Sequence, residues 1–443
     1  MNMLDYIDRY EEYLRQLPLL RGQSGGPVPV LGFCSDCDVV LKWDAERYNS
    51  LLDTWLKEFP SAVQGDVIRS MEDFVRFTAA YMLRGSGAMI EVETVDLCER
   101  IHRCFDSEYA LGGTGAQAAA ALGAVGMPSC VHLSDDSPEV CRQLDYEGVT
   151  LIVSGAERPA GSFASGNRPI YHIILQFDEG DVIRVEGKEH VIPHSNRIIL
   201  VCDELVKLVP LRQDFLDYWA DSAHAASSLV ISGLDSILDL NIARERAEQL
   251  VKFLERFRAA HPKAVIYLEG AFYLTEEVKD LLFAALAPHV DVIGMNEEEL
   301  IAYAGPLLEE PDSAEEILRA LDLFHDQYPS GGLVLHTRDF CMYRGRRIEG
   351  ADLERGLTMG NLMSATRARI GRYGDRAECA ETLALPLSPK GLRIREEVLE
   401  RETAGAEDGL LCIVVPTRLM ERPKYTIGLG DTFVAGVQTA FLG

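Results

Sequence analysis

Positive charge is scarce in this 443-residue sequence: 43 Lys and Arg face 70 Asp and Glu, a formal net charge of −27. A field of that sign repels polyanions and argues against nonspecific binding to nucleic acid or anionic membranes. Long apolar runs are missing as well. None approaches the roughly 18 residues that cross a bilayer. The opening Met-Asn-Met-Leu-Asp-Tyr-Ile-Asp lacks a basic lead and an apolar centre, so no secretory signal is expected and a cytoplasmic location is. No Gly-x-x-x-x-Gly-Lys occurs, which excludes a P-loop kinase. The ten cysteines are scattered, as fits reduced thiols. Cys34 and Cys37 have Cys-x-x-Cys spacing, but no second close pair of Cys or His completes a zinc set.

What is present suits a globular protein, with 47% apolar residues. The length allows two or three domains of about 150 residues, or one large core with an appendage. No internal repeat is visible. From residue 229 onward the sequence alternates regularly. Strands are expected at 229–233, 264–268, 290–294, 332–336 and 411–415, and helices at 242–260, 275–286 and 313–328. Continuous apolar strands between amphipathic helices predict βαβ units and a parallel sheet covered on both faces. Ligands bind such sheets beyond the carboxyl ends of the strands. Those ends read Ser232-Gly-Leu-Asp235, Glu269-Gly270, Met295-Asn296-Glu-Glu-Glu299 and His336-Thr337-Arg338. Glu297 to Glu299 could equally be a solvated charge run.

The first half is less regular. A strand at 28–33 leads to Cys34-Ser-Asp36-Cys-Asp38, and helices are expected at 47–59 and 70–83. Gly112-Gly-Thr-Gly-Ala-Gln-Ala-Ala-Ala-Ala-Leu122 is a glycine turn entering a helix of small residues. It loosely fits a dinucleotide fingerprint, but no clean strand precedes it. The glycines more simply let backbone approach a ligand or a neighbouring strand. Segments 169–177 and 182–200 read as strands of a more polar sheet, with Asp178-Glu-Gly-Asp181 as a turn, and suit a lid.

The chemistry is clearest in Gly428-Leu-Gly-Asp-Thr-Phe-Val-Ala-Gly436. Glycines let backbone N–H groups crowd an anion at the positive end of a helix dipole. Asp431 in the first turn could take a proton from an attacking hydroxyl. An anion cradle beside a base is what phosphoryl transfer to an alcohol requires. An ordinary turn before a helix would read the same.

The landmarks fall in one order: the glycine pair, then Asn196-Arg197-Ile198, Ile231-Ser-Gly-Leu234, Asn296-Glu-Glu-Glu299, His336-Thr337 and Thr426-Ile-Gly-Leu-Gly-Asp-Thr432. From about residue 30 onward that order resembles the ribokinase-like superfamily. More closely it resembles the ADP-dependent sugar kinases, the glucokinase and phosphofructokinase group. The resemblance implies a ribokinase-like α/β fold: a Rossmann-like, mostly parallel central sheet with helices on both faces, plus a smaller discontinuous α/β lid. Residues 1–35, 112–162 and 200–443 would form the nucleotide-binding domain, and 36–111 and 163–199 the lid. It further implies transfer from ADP, with Mg²⁺, to a sugar hydroxyl of the glucose or fructose 6-phosphate type, releasing AMP. Partners would be ADP and a small sugar, with no nucleic acid or membrane, in a monomer or small homo-oligomer.

Residue by residue, Asp431 matches the base, and Gly428, Leu429 and Gly430 the anion hole. Sugar contacts fall on Asp36, Asp38, Gly112, Gly113 and His172, with Gln176 in the lid strand. Arg197 and Asn296 match groups on the donor side. The adenine pocket falls near His336, Thr337 and Val415. Glu269 and Glu299 match the acids that organise the metal. Three departures stand out. Cys34-Ser-Asp36-Cys-Asp38 replaces Asn-x-Asn-x-Asp, Gln176-Phe177 replaces Glu-Phe, and Tyr267 stands for the histidine of His-x-Glu. Arg168, Lys188, His190 and His194 could serve a phosphorylated acceptor, whereas acidic Asp36 suits an unphosphorylated polyol. An ATP-dependent kinase of another small alcohol, and a noncatalytic sugar or nucleotide sensor, remain alternatives.

Overall fold

Apolar runs such as Leu229-Val-Ile231 and Leu333-Val-Leu335 are buried on both sides, and they assemble a ten-stranded sheet. The computed structural model describes residues 3–20, 26–56, 67–185, 187–202, 207–304, 312–403 and 409–442. From one edge the strands are Leu411–Pro416, Phe340–Gly345, Gly332–His336, Val292–Asn296, Val265–Glu269, Ala226–Ile231, Val28–Leu31, Ser129–Val131, Val149–Val153 and Ala156–Pro159. Every pairing from Gly332–His336 to Val149–Val153 is parallel. The pairings outside that range are antiparallel. The expected alternation of strands and helices is present within a few residues. Residues 57–59 of the expected helix lie outside the described residues.

Several elements carried no readable signal. Phe340–Gly345 is reached by a tight antiparallel turn, so no helix announces it. Helices Leu353–Ile370, Arg376–Thr382 and Pro389–Thr403 follow, and helix Met3–Leu20 packs against the first two. The Tyr10 hydroxyl donates to the Pro416 carbonyl at 2.9 Å. Ends were easier where caps exist: Ser313 and Glu316 form the capping box that starts Ala314–Gln327.

A second sheet of six strands runs Val67–Ile68, Ala88–Val92, Asn196–Val201, Tyr171–Phe177, Asp36–Leu41 and Ser107–Gly112. A strand therefore does precede the glycine turn at Gly112, but it belongs to this sheet. The helix that follows, Thr114–Ala124, packs on the large sheet instead. That split is not a dinucleotide βα unit. Asn196–Val201 also runs past residue 199, where the lid was expected to end. Alternate residues divide this sheet into two faces. Cys37, Val39, Ile173, Leu175, Ile198 and Leu200 are buried on one face, where helices Met71–Arg84 and Val95–His102 cover the sheet. Asp36, Asp38, His172, Gln176, Arg197 and Met89 share the other face by register. Cys34 is buried beside Ile170, so the Cys-x-x-Cys pair points to different places.

The terminal helix Leu429–Gln438 is held by its neighbours through missing side chains. A Cβ on Gly436 would lie 2.3 Å from the Gly360 nitrogen in Leu353–Ile370. A Cβ on Gly360 would lie 2.7 Å from Phe433 Cδ2. This close crossing fixes the helix that carries Asp431. Gly436→Ala is expected to lower unfolding free energy by about 2 kcal/mol, because the backbone at the crossing cannot retreat. Urea denaturation measures it, and an unchanged midpoint would show the crossing to be loose.

Candidate active site

The first turn of the terminal helix needs glycine for steric reasons. Gly428 has φ +68°, and a Cβ there would lie 2.0 Å from Gln117 Oε1 and 2.7 Å from Arg367 Nη2. The first hydrogen bond of the helix runs from the Thr432 N–H to the Gly428 carbonyl at 3.0 Å. The N–H groups of Leu429, Gly430 and Asp431 precede it and face out of the helix end, as an anion site requires. Asp431 Oδ2 accepts from Gln117 Nε2 at 2.7 Å. Burial pushes the Asp431 carboxyl up, while the Thr114 hydroxyl and Arg367 oppose that rise. Sequence reasoning missed Gln117 and Arg367. Both lie on helices, where no local motif marks a residue aimed at another element.

Asp36, Asp38 and His172, expected to contact the sugar, lie close together. His172 Nδ1 lies 3.0 Å from Asp36 Oδ1 and 3.9 Å from Asp38 Oδ1. Burial, and then Asp36, push the Asp38 carboxyl up to about 8. The glycine pair serves close approach: a Cβ on Gly112 would lie 1.8 Å from Asp36 Oδ1. Gly113 has φ +81°, and its Cβ would meet the Cys34 carbonyl at 2.2 Å. Asp135 braces the loop, its carboxylate accepting from the Ile170 and Ser137 N–H groups at 2.6 and 2.8 Å. Gln176 does not join this group. It pairs in register with Arg197, further along the strand, because side chains two residues apart share a face but not a place. Gln176 and Arg197 line a separate cleft with Thr426. Asp235, at the end of the Ser232-Gly-Leu-Asp235 run already placed on the ligand rim, was given no role of its own. Burial raises its carboxyl to about 6, with Asp431 and Asp36 adding to the rise.

Among the residues expected on the donor side, Glu269 ends its strand and Glu299 lies in the first turn of helix Glu297–Ala304. Asn296 holds Glu299 reciprocally. Its N–H and Nδ2 donate to Oε2 and Oε1 at 2.9 and 2.8 Å, and its Oδ1 accepts from the Glu299 N–H at 2.9 Å. Asn-x-x-Glu is thus a helix cap that aims a carboxylate. Burial, and then Glu269, push the Glu299 carboxyl up to about 7. Glu269 Oε1 lies 2.9 Å from His336 Nε2, and Oε2 is buried without a hydrogen-bond partner among the described residues. A carboxylate only accepts, so Nε2 carries the proton. Burial would lower the His336 pKa, but Glu269 outweighs it and the net shift is upward. Tyr267 is fully buried, its hydroxyl near Glu269, and both leave room only for glycine at Gly294. Two buried carboxylates with an uncompensated oxygen are a fitting donor set for Mg²⁺, a hard cation that takes a few carboxylates and water.

Beside these acids opens a cavity of about 600 Å³, with Ala365, Ala368, Leu419, Met420 and Phe433 as apolar wall. Asn296, His336 and Thr337 line it too. Thr337 is engaged in its own turn, donating to the Phe340 carbonyl at 2.9 Å. Val415 does not line the cavity. Its side chain is fully buried in the sheet, as an inward residue of a covered strand must be, and its carbonyl accepts from Asn361 Nδ2 at 3.1 Å.

The conserved region of ADP-specific phosphofructokinase/glucokinase matches residues 28–439. An ADP-specific phosphofructokinase of Pyrococcus furiosus is 22% identical over 92% of this chain and 95% of its own. An ADP-dependent glucose/glucosamine kinase of the same organism is 23% identical over 99% and 97%. Among solved structures, a phosphofructokinase of Pyrococcus horikoshii with AMP superposes with TM-score 0.79 at 18% identity, over 94% of this chain and 98% of that one. An ADP-dependent kinase complex with fructose-6-phosphate and ADPβS gives 0.74 at 17% identity, over 100% and 99%. At such identity the superpositions speak for a shared fold.

The raised carboxyls set an unusual pH dependence. Asp235, Glu299 and Asp38 titrate near 6, 7 and 8 in the folded protein, against about 4 unfolded. The folded state therefore binds more protons in that window, and their contribution to stability is lost as pH rises through it. The urea midpoint of the metal-free protein is expected to fall between about pH 5.5 and 8.5. A midpoint that climbs over that range would refute the crowding of these acids.

Proposed function

Because this chain belongs to the ADP-specific phosphofructokinase/glucokinase family and is thereby an ADP-dependent sugar kinase, we propose the following division of labour at its site. Asp36, Asp38 and His172 grip the hydroxyls of the sugar, and Asp431 takes the proton of the hydroxyl that attacks. The N–H groups of Leu429 and Gly430 hold the migrating phosphoryl group, and AMP leaves as the bond from the β-phosphorus to the bridging oxygen breaks. Adenine lies in the cavity walled by Ala365, Leu419 and Phe433. Arg197 faces the donor phosphates from the second sheet. Glu269 and Glu299 hold Mg²⁺, which when bound neutralises charge on the donor phosphates. The second sheet acts as a lid over the cleft, so that the sugar rather than water receives the phosphoryl group.

The observation that carries this reading is the junction of Asp431, tied to Gln117, with an unobstructed helix N-terminus. His336 holds one oxygen of Glu269 and leaves the other bare, a common way to aim a metal-binding carboxylate. The acceptor acids favour an unphosphorylated sugar. The basic residues considered for a phosphate are engaged or placed elsewhere. Arg168 meets Asp96 at 3.3 Å, His194 lies 3.8 Å from Glu179, and Lys188 and His190 sit on the small hairpin Val182–Val185/Lys188–Val191.

An acceptor panel with Mg-ADP, read by AMP release, tests the assignment. Glucose-type sugars are expected to turn over, with fructose 6-phosphate at least about tenfold lower in kcat/KM. Turnover with fructose 6-phosphate alone would overturn the acceptor reading, and activity with ATP alone the donor reading. Asp431→Asn is expected to lower kcat by about 10²-fold or more while sugar binding changes little. Near wild-type turnover would remove Asp431 from the mechanism.

A further inference from the structure

One cation stands inside this acidic cleft with no part in the scheme above. Arg367 lies near the end of helix Leu353–Ile370 and is 4% exposed. Burying a guanidinium is costly unless something compensates it. Among the described residues no carboxylate lies within ion-pair distance of Arg367, and its Nε has no hydrogen-bond partner. Its contacts lead to the reacting turn instead. Nη1 donates to Thr432 Oγ1 at 3.1 Å. That hydroxyl in turn donates to the Gly428 carbonyl at 2.8 Å. Nη2 would lie 2.7 Å from a Cβ on Gly428, so the guanidinium packs directly against the turn. The rings of Tyr373 and Tyr425 lie 4.3 and 5.4 Å from its central carbon. Those cation–π contacts replace some of the lost hydration and fix the plane of the fork. Tyr373 also donates to Gln117 Oε1 at 3.2 Å, and Gln117 donates to Asp431. Two chains of contacts therefore leave Arg367, one ending at Gly428 and one at Asp431.

We propose that Arg367 is a positioning residue for phosphoryl transfer: its guanidinium braces the Gly428–Gly430 turn through Thr432, and its unneutralised charge adds to the positive end of the terminal helix. This rests on the kinase reading given above. Leaving Arg367 without a carboxylate makes sense at such a place, because an ion pair would cancel the field that the migrating phosphoryl group needs. The groups that face Asp431 are Gln117, Thr114, Arg367, Glu269 and His336. Beside the guanidinium, His336 is the other basic group among them.

The test is Arg367→Ala, assayed with Mg-ADP and the best acceptor across pH, with and without guanidinium ion at millimolar concentration. kcat is expected to fall about 10²-fold, with KM for ADP and sugar within about threefold. The acid limb of the kcat profile is expected to move to higher pH, since Asp431 then binds its proton more tightly. Added guanidinium should enter the vacated space between Tyr373 and Tyr425, restore kcat at least about tenfold and move the limb back. A kcat within threefold of wild type overturns the proposal. So does a loss that guanidinium leaves untouched, with the acid limb unmoved, since that is the mark of a purely structural residue. Should thermal melting show the alanine variant unfolded, Arg367→Gln decides. It keeps an amide donor for Thr432 without charge, and wild-type kcat with an unmoved limb there overturns the proposal. A wild type without ADP-dependent turnover ends the kinase reading and this inference together, whereas unchanged turnover in the variants ends this inference alone.

Discussion

Repulsion among buried and half-buried carboxylates is the constraint that organises this molecule. Asp36 and Asp38 from one strand, and Asp235, Glu269, Glu299 and Asp431 from other segments, come within electrostatic reach of one another in a protein already rich in acid. Burial and the neighbouring acids together raise the proton affinity of Asp38, Asp235, Glu299 and Asp431. The fold answers with fixed dipoles and a few placed cations. Asn296 holds Glu299, His336 pins Glu269, Gln117 holds Asp431, and Arg367 stands behind the Gly428–Gly430 turn. The remaining charge imbalance is what a metal–nucleotide complex would meet on entering.

A second constraint is steric. The groups approach closely because glycines remove the atoms that would keep them apart. Gly428 leaves room for Gln117 and Arg367, Gly112 for Asp36, and Gly294 for Tyr267 and Glu269. Gly360 and Gly436 bring two helices together so that Asp431 is seated on a rigid element rather than a free loop. The same device thus serves packing and chemistry, and a methyl group at any of these places would push apart groups that act together.

Legibility followed the range of the interactions. Strands Gly332–His336 and Val265–Glu269 stood out because a covered parallel strand is apolar throughout. Ala314–Gln327 stood out by its helical periodicity, and the capping box that starts it is written within four residues. Asn296 and Glu299 were readable as a pair only through the resemblance, and Asp36 with Asp38 because a strand places alternate residues on one face. Phe340–Gly345 was not, since an antiparallel return needs no helix to announce it. Gln176 was assigned to the acceptor by its strand alone, yet register sets it beside Arg197. Val415 was assigned to the adenine pocket by its neighbourhood in the sequence, yet its side chain turns into the core.

Composition and periodicity by themselves determined the α/β class and the alternation of the parallel strands with their helices, and short motifs marked the glycine-rich turn at Gly428 and the acids expected near it. These depend on contacts within a few residues, and the chain writes such contacts in order. Only the tertiary structure decided that His336 serves Glu269, that Gln117 orients Asp431, and that Arg367 reaches the turn at Gly428. Those partners are separated by 61 residues or more, from Arg367 to Gly428 and from His336 to Glu269 upward. No local pattern encodes a meeting that exists only once the sheet and its helices have packed.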